Sequence, residues 1–142
     1  MPADFEVDEF IAKPASDIFA AITSPEHLER YFLASSSATL EAGREVLWQW
    51  SQYDKQLFQV MSVIPDQRIE LEWTAQEVAY PTQVHIVLSA EGHGTRVRIR
   101  ETGWQEDQAS LGFALLHCAA WQQMLCYLKA YVLFGVSLKN AV

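Results

Sequence analysis

The sequence has little with which to staple or anchor itself. Its 142 residues hold two cysteines, Cys118 and Cys126. They fall eight residues apart in an apolar stretch that reads as helix, about two turns from each other and beyond the span of a disulfide. Both are read as reduced, buried thiols of a cytoplasmic protein. No apolar run approaches the roughly eighteen residues of a membrane span. The N-terminal MPADFEVDEF places Asp4, Glu6, Asp8 and Glu9 where a signal peptide needs positive charge and then an apolar core. Basic residues are also scarce: ten Lys and Arg against eighteen Asp and Glu give a net charge of −8. That balance argues against nucleic acid or an anionic membrane as partner. The four histidines and two cysteines show no zinc spacing, and neighbours such as His117 and Cys118 point about 100° apart on a helix. Gly92-His93-Gly94 reads as a hairpin turn, not a phosphate loop. No metal and no cofactor are expected.

What is present is a globular composition, 50% hydrophobic and 20% charged. The length fits a single domain over residues 1–142, burying roughly 70% of its unfolded surface. Phe5 to Ile11 reads as a strand stopped by Pro14. Two short helices follow, one with Ser16 as N-cap and Ile18, Phe19 and Ile22 inside, the other capped by Ser24 and started by Pro25. From Ala34 to Glu101 short alternating runs separated by turns predict about six antiparallel strands. In them Trp48, Trp50, Ile69, Leu71, Trp73, Val84, Ile86, Leu88, Val97 and Ile99 share the inward parity. From about Gln108 to Phe134 one long helix carries Leu111, Leu115, Cys118, Trp121, Leu125, Leu128 and Val132 as a stripe. The remaining apolar area on it, Tyr127, Tyr131, Leu133 and Phe134 included, predicts a homodimer through this helix. The class is therefore α+β, a curved antiparallel sheet of about seven strands gripping a C-terminal helix, with a hollow where sheet and helix diverge.

These landmarks resemble a known family. They are Ile11-Ala12-Lys13-Pro14, Ile18-Phe19, Ile22 and Pro25 to Phe32, then Val63-Ile64-Pro65, Arg68-Ile69 and Trp73. Gly94 to Val97, Thr102-Gly103, and His117 to Trp121 with Leu125 and Leu128 complete the set. Their order is similar to the START-like, birch-pollen-allergen-like (SRPBCC) superfamily with a helix-grip fold, and closest to bacterial homologues of the C-terminal domain of the heat-shock-protein-90 ATPase activator. Ala120 stands where the family commonly has glycine and Tyr31 where it has tryptophan. The alanine methyl is expected at the helix–sheet contact. The superfamily includes ligand carriers, aromatic polyketide cyclases and co-chaperone domains, so the resemblance implies a fold and leaves the activity open.

Candidate chemistry is sparse. His93 lies in a turn, His85 has wet-face parity and His27 is expected exposed. His117 is the one histidine of the long helix, either a satisfied structural group or a polar group inside the pocket. Glu101 continues the inward parity of Val97 and Ile99, so it is either a carboxylate entering the cavity or a strand-end group, solvated or paired with arginine. Arg96, Arg98 and Arg100 form a basic row on the other face, expected to pair with Glu70 and Glu72 or to meet a partner. The pocket is assigned to Phe32, Trp48, Trp50, Ile69, Leu71, Trp73, Val84, Ile86, Leu88, Val97, Ile99, Glu101, Leu115, Cys118, Trp121 and Leu125. With no catalytic triad in the pattern, the chain reads as a carrier of a small apolar or aromatic ligand. Two alternatives stand beside it. One is an enzyme of cyclase or hydrolase type using Glu101 and His117; the other is a co-chaperone-like module acting on a heat-shock ATPase.

Overall fold

A computed structural model of the chain describes residues 3–139. Strand β1 (Phe5–Ile11) is stopped short of Pro14, which takes the N-cap position of helix α1 (Ala15–Thr23). No side chain caps α1, so Ser16 sits inside the first turn rather than at the expected cap. Ser24 does separate α1 from α2 (Pro25–Tyr31), and Pro25 supplies the pre-set φ of a first helical residue. Strands β2 (Ser35–Ser36), β3 (Glu45–Gln49), β4 (Lys55–Ile64), β5 (Arg68–Trp73), β6 (Thr82–Glu91) and β7 (Gly94–Thr102) follow, then α3 (Gln108–Phe134). Asp107 caps α3 by accepting from the Ser110 amide at 2.8 Å, and Gly135 ends it in the left-handed region at φ 67°.

The seven strands form one antiparallel sheet in the order β1-β7-β6-β5-β4-β3-β2. Chain reversal alone joins β3 to β7, while β1 returns to the far edge beside β7. That return brings the start of β7 against the end of β1. A Cβ on Gly94 would stand 2.4 Å from the Ile11 carbonyl oxygen and 2.8 Å from the Ala12 Cα. Only glycine fits there. The inward parity holds along β5, β6 and β7, where Ile69, Leu71, Val84, Ile86, Leu88, Val97 and Ile99 are buried while their neighbours are less so. Trp48 takes the inner face of β3 and Leu47 the outer. The structure is therefore the α+β helix-grip architecture.

The long helix departs from its expected stripe in one half. From Trp121 onward Met124, Leu125 and Leu128 are buried in the common core. Before Trp121 the buried residues are Ser110 and Ala114, and Leu111 and Leu115 face outward, Leu115 being 62% exposed. One residue of offset turns a helical face by about 100°, so the apolar pattern of the N-terminal half marks the wrong side. The expected dimer patch shifts as well: Tyr127, Tyr131 and Leu133 pack on their own core, and Phe134 alone of that group stays exposed, at 75%. Both thiols are free, but Cys118 is half-buried and Cys126 exposed, not buried as expected. On the outer face Arg96 pairs with Asp8 at 2.8 Å and Glu91 at 2.9 Å. Glu70 and Glu72 lie on β5, one strand too far, because β6 separates them from β7.

Candidate functional site: a buried carboxylate beneath an open cleft

Glu101 follows Val97 and Ile99 at the inner face of β7, and its side chain is wholly buried. The adjacent strand β6, the next strand β5 and the helix α3 all turn donors toward it. Thr82, at the start of β6, donates its hydroxyl to Oε2 at 2.7 Å, and the Trp73 indole at the end of β5 donates to the same oxygen at 3.2 Å. Trp121 Nε1 donates to Oε1 at 3.0 Å, and His117 Nδ1 lies 3.1 Å from that oxygen. His117 and Trp121 sit one turn apart on α3, so a single helix face delivers both. Indole nitrogens only donate. A carboxylate so surrounded accepts at every site, which assigns the fourth proton to His117 Nδ1 and leaves Nε2 pointing away from Glu101.

This arrangement departs from both sequence readings of Glu101, which is buried beneath the cleft without entering it. It is neither solvated nor paired with arginine. Burial by itself would push its carboxyl up; the hydrogen bond and charge of His117, with the bonds from Thr82 and Trp121, outweigh that and hold it below the ordinary glutamate range. Burial pushes His117 down, and the hydrogen bond and charge of Glu101, with the charge of Glu77, outweigh it and raise the imidazole above its ordinary value. Packing fixes the ring as well. Trp104 meets it edge-on with centroids 4.9 Å apart, and Trp73 and Trp121 stack at 5.3 Å and 14° beside it.

Above this cluster runs an open cleft of about 580 Å³ between α3, the end of α2 and the ends of β4 and β5. His117 and Trp121 form its floor, with Phe32, Trp50, Trp73 and Tyr127 among its walls. Polar groups line it too, including Lys55, Gln56, Glu77 and Gln123. Of the residues assigned to a pocket from sequence, Phe32, Trp50, Trp73 and Trp121 reach this cleft. Trp48, Ile69, Leu71, Val84, Ile86, Leu88, Val97, Ile99 and Leu125 do not, because they are consumed in the packed core. Leu115 faces solvent and Cys118 packs at the core's edge, both on other sides of α3. The hollow is thus a groove beside the core rather than a chamber within it. Ala120 is exposed and lines the cleft, so its methyl shapes the groove and not the helix–sheet contact.

Glu101 itself does not reach the cleft; with no exposed surface and every acceptor site occupied, it acts only through His117. His117 Nε2 stands 3.9 Å from Glu77 at the cleft wall. The sequence reading missed Glu77 and Thr82. Thr82 had a signal: it is polar at the inward parity of Val84 and Ile86, one strand from an inward glutamate. Glu77 lies outside any regular element, where no periodicity marks it. His27 is half-buried rather than exposed, its Nδ1 2.6 Å from the Tyr131 hydroxyl. Tyr31, fully buried, donates its hydroxyl to the Ala21 carbonyl at 2.9 Å.

Solved structures with this shape are numerous. The protein SSP2350 from Staphylococcus saprophyticus superposes with a TM-score of 0.82 at 24% identity, covering 97% of each chain. DynU16, described as a putative protein in the dynemicin biosynthetic locus, gives 0.84 at 18% identity over 95% of this chain and 49% of that longer one. The Aha1 dimer from Colwellia psychrerythraea gives 0.81 at 19% identity over 93% of this chain and 97% of its own. At these identities the likeness is one of fold. No curated protein sequence matches the chain. The family described as activator of Hsp90 ATPase homolog 1-like protein matches residues 12–133, from just after β1 to the last turn of α3, and the chain belongs to it.

Proposed function

We propose that the protein binds a small, flat, largely apolar or aromatic compound in the cleft along α3, with its polar part toward His117. The observation that carries this reading is the wall of rings, Phe32, Trp50, Trp73 and Trp121, left at a solvent-open groove with one oriented imidazole on its floor. Trp73 and Trp121 belong to the core, but Phe32 and Trp50 are left half-buried, and all four border about 580 Å³ of open space. Because three of the five tryptophans line the groove, occupancy reports itself. A panel of fatty, aromatic and isoprenoid compounds should include at least one class that quenches or shifts tryptophan emission and raises the melting temperature. A panel that changes neither overturns the reading.

An enzymatic role is supported by one feature, the bond from His117 Nδ1 to buried Glu101, which orients Nε2 at the groove as a general acid or base. In that case His117 is the catalytic residue and Glu101 positions it. Action on a heat-shock ATPase is supported by the family description alone; co-purification with the ATPase and a change in its turnover test it. Self-association through α3 is supported by exposed Leu111, Leu115 and Leu116 and by the dimeric Colwellia relative. Sedimentation at micromolar concentration tests that. The free thiols Cys118 and Cys126 support a cytoplasmic location.

A further inference from the structure

Glu101 is saturated by four donors and wholly buried, so it offers nothing to a ligand. What it does is commit Nδ1 of His117, which makes Nε2 the one nitrogen of the ring left for the groove. Opposite Nε2, Glu77 Oε1 stands at 3.9 Å, beyond hydrogen-bond distance, and both residues line the cleft. An oxygen atom seated about 2.8 Å from each fits this separation.

The chemistry of the two flanking groups selects that oxygen. With Nδ1 held by Glu101, a protonated His117 donates from Nε2–H while a carboxylate accepts, so in that state the group between them must accept from one side and donate to the other. A hydroxyl does both. An ether accepts only, an ammonium donates only, and a carboxylate would face the negative charge of Glu77. Trp73 and Trp121, stacked on each other and only 7% and 4% exposed, border the same cleft, and the half-buried Phe32 and Trp50 rings that also line it supply the more open aromatic surface for the carbon skeleton. From His117 to Tyr127 the groove follows ten residues of helix, about 15 Å, enough for two or three fused rings.

We infer that His117 Nε2 and the Glu77 carboxylate are a recognition pair for a hydroxyl group, and that among flat aromatic compounds the cleft therefore selects phenols. This rests on the binding role proposed above and names the feature its ligand must carry. The raised proton affinity of His117, held by Glu101 and Glu77 against the effect of burial, agrees with a donating Nε2–H.

The test is a tryptophan-emission titration of the full chain with naphthalene, 2-methoxynaphthalene and 2-naphthol, three probes of one ring system. 2-Naphthol should bind at least about tenfold tighter than the other two, the order that a hydrogen bond to a charged group supplies. Glu77→Ala, at a partly exposed position where folding is not at stake, should bring the affinity of 2-naphthol down to that of 2-methoxynaphthalene, since only the hydroxyl can donate to Glu77. His117→Asn should lower the affinity of 2-naphthol as well, since its amide still reaches toward Glu101 but lacks Nε2. Equal binding of all three probes by the native chain overturns the inference and leaves the binding role standing. A 2-naphthol preference that survives Glu77→Ala also overturns it, because the hydroxyl is then read elsewhere. Failure of all three probes alongside the wider panel removes the binding role itself, and the inference with it.

Discussion

The two halves of α3 bury opposite chemistry against the same sheet. Beyond Trp121 the inner face is Met124, Leu125 and Leu128, packed in the apolar core, and the polar contact to the sheet there runs along the flank, where Gln122 and Lys129 donate to Glu9 of β1. Before Trp121 the inner face is Ser110, Ala114 and His117, while Leu111, Leu115 and Leu116 look outward. The difference follows from one residue. A carboxylate at an inward position of β7 cannot be left dry without donors, and α3 meets that demand by turning polar and small side chains inward over it. Where the sheet is apolar the helix obeys its hydrophobic stripe; where the sheet carries Glu101 it does not. The groove stays open above the buried pair, because small residues such as Ala120 do not fill the space next to His117.

Removing the charge is the strongest way to break this contrast. Glu101→Ala strands two indole N–H groups, a hydroxyl and an imidazole around a void, and is expected to cost about 3–5 kcal/mol by urea denaturation. Glu101→Gln keeps the shape but replaces two acceptors' worth of charge with one carbonyl and a clashing NH₂, so it too should destabilise, by less. A glutamine variant as stable as the native chain would mean that the donors do not require a carboxylate. Next in size is the dry half: Leu125→Ala, fully buried in the core, should cost about 2–4 kcal/mol through lost burial and the cavity left behind. Unlike the glutamate variant, it should leave the pH dependence of stability unaltered.

That pH dependence sharpens the comparison further. The folded state lowers the Glu101 pKa, so its contribution is present above the unfolded value, about 4.3, and is lost as pH falls through the lower folded one. It raises the His117 pKa, so that contribution is complete below about 6.5 and is lost as pH rises through the higher folded value. Both are fully present only between about pH 4.3 and 6.5. The melting-temperature gap between the native chain and His117→Asn should be widest in that window and narrow on either side. A gap that stays constant from pH 3 to 9 would show that the pair is not ionised.

How far the sequence was legible divides along the same line. The strand parity, the hairpins, the bounds of α3 and the seven-strand sheet all follow from apolar periodicity, and Val97, Ile99, Leu125 and Leu128 lie where that periodicity places them. The site followed only in part: Glu101 and His117 were named together and Phe32, Trp50, Trp73 and Trp121 were assigned to the pocket, but periodicity counts apolar residues and the rest of this site is built from exceptions to it. Glu101 was marked as an exception on its own strand, yet its partners Thr82, Trp73 and His117 come from three separate elements whose alignment exists only after folding. Glu77, outside any regular element, carries no local mark at all. The inward strand residues were over-assigned to a pocket for the complementary reason: parity states which face a side chain takes, not whether the opposing layer closes over it.

The smallest expected effect separates the two halves most cleanly. By spacing alone, Leu115 and Leu125 belong to one stripe and their truncation should be equivalent. In the structure Leu115 is 62% exposed and Leu125 is fully buried. Leu115→Ala removes side-chain atoms that touch mainly water and substitutes the better helix former, so its effect on the stability of the monomer should lie within about 0.5 kcal/mol of zero. A loss near that of Leu125→Ala, measured by the same denaturation at low protein concentration, would mean that the N-terminal half of α3 is turned by one residue from the orientation described. It would then break the placement of His117 over Glu101 as well, since both depend on a single helical phase. If the loss appears only at concentrations where sedimentation shows association, the leucine is instead covered by a second copy, and the phase of the helix stands.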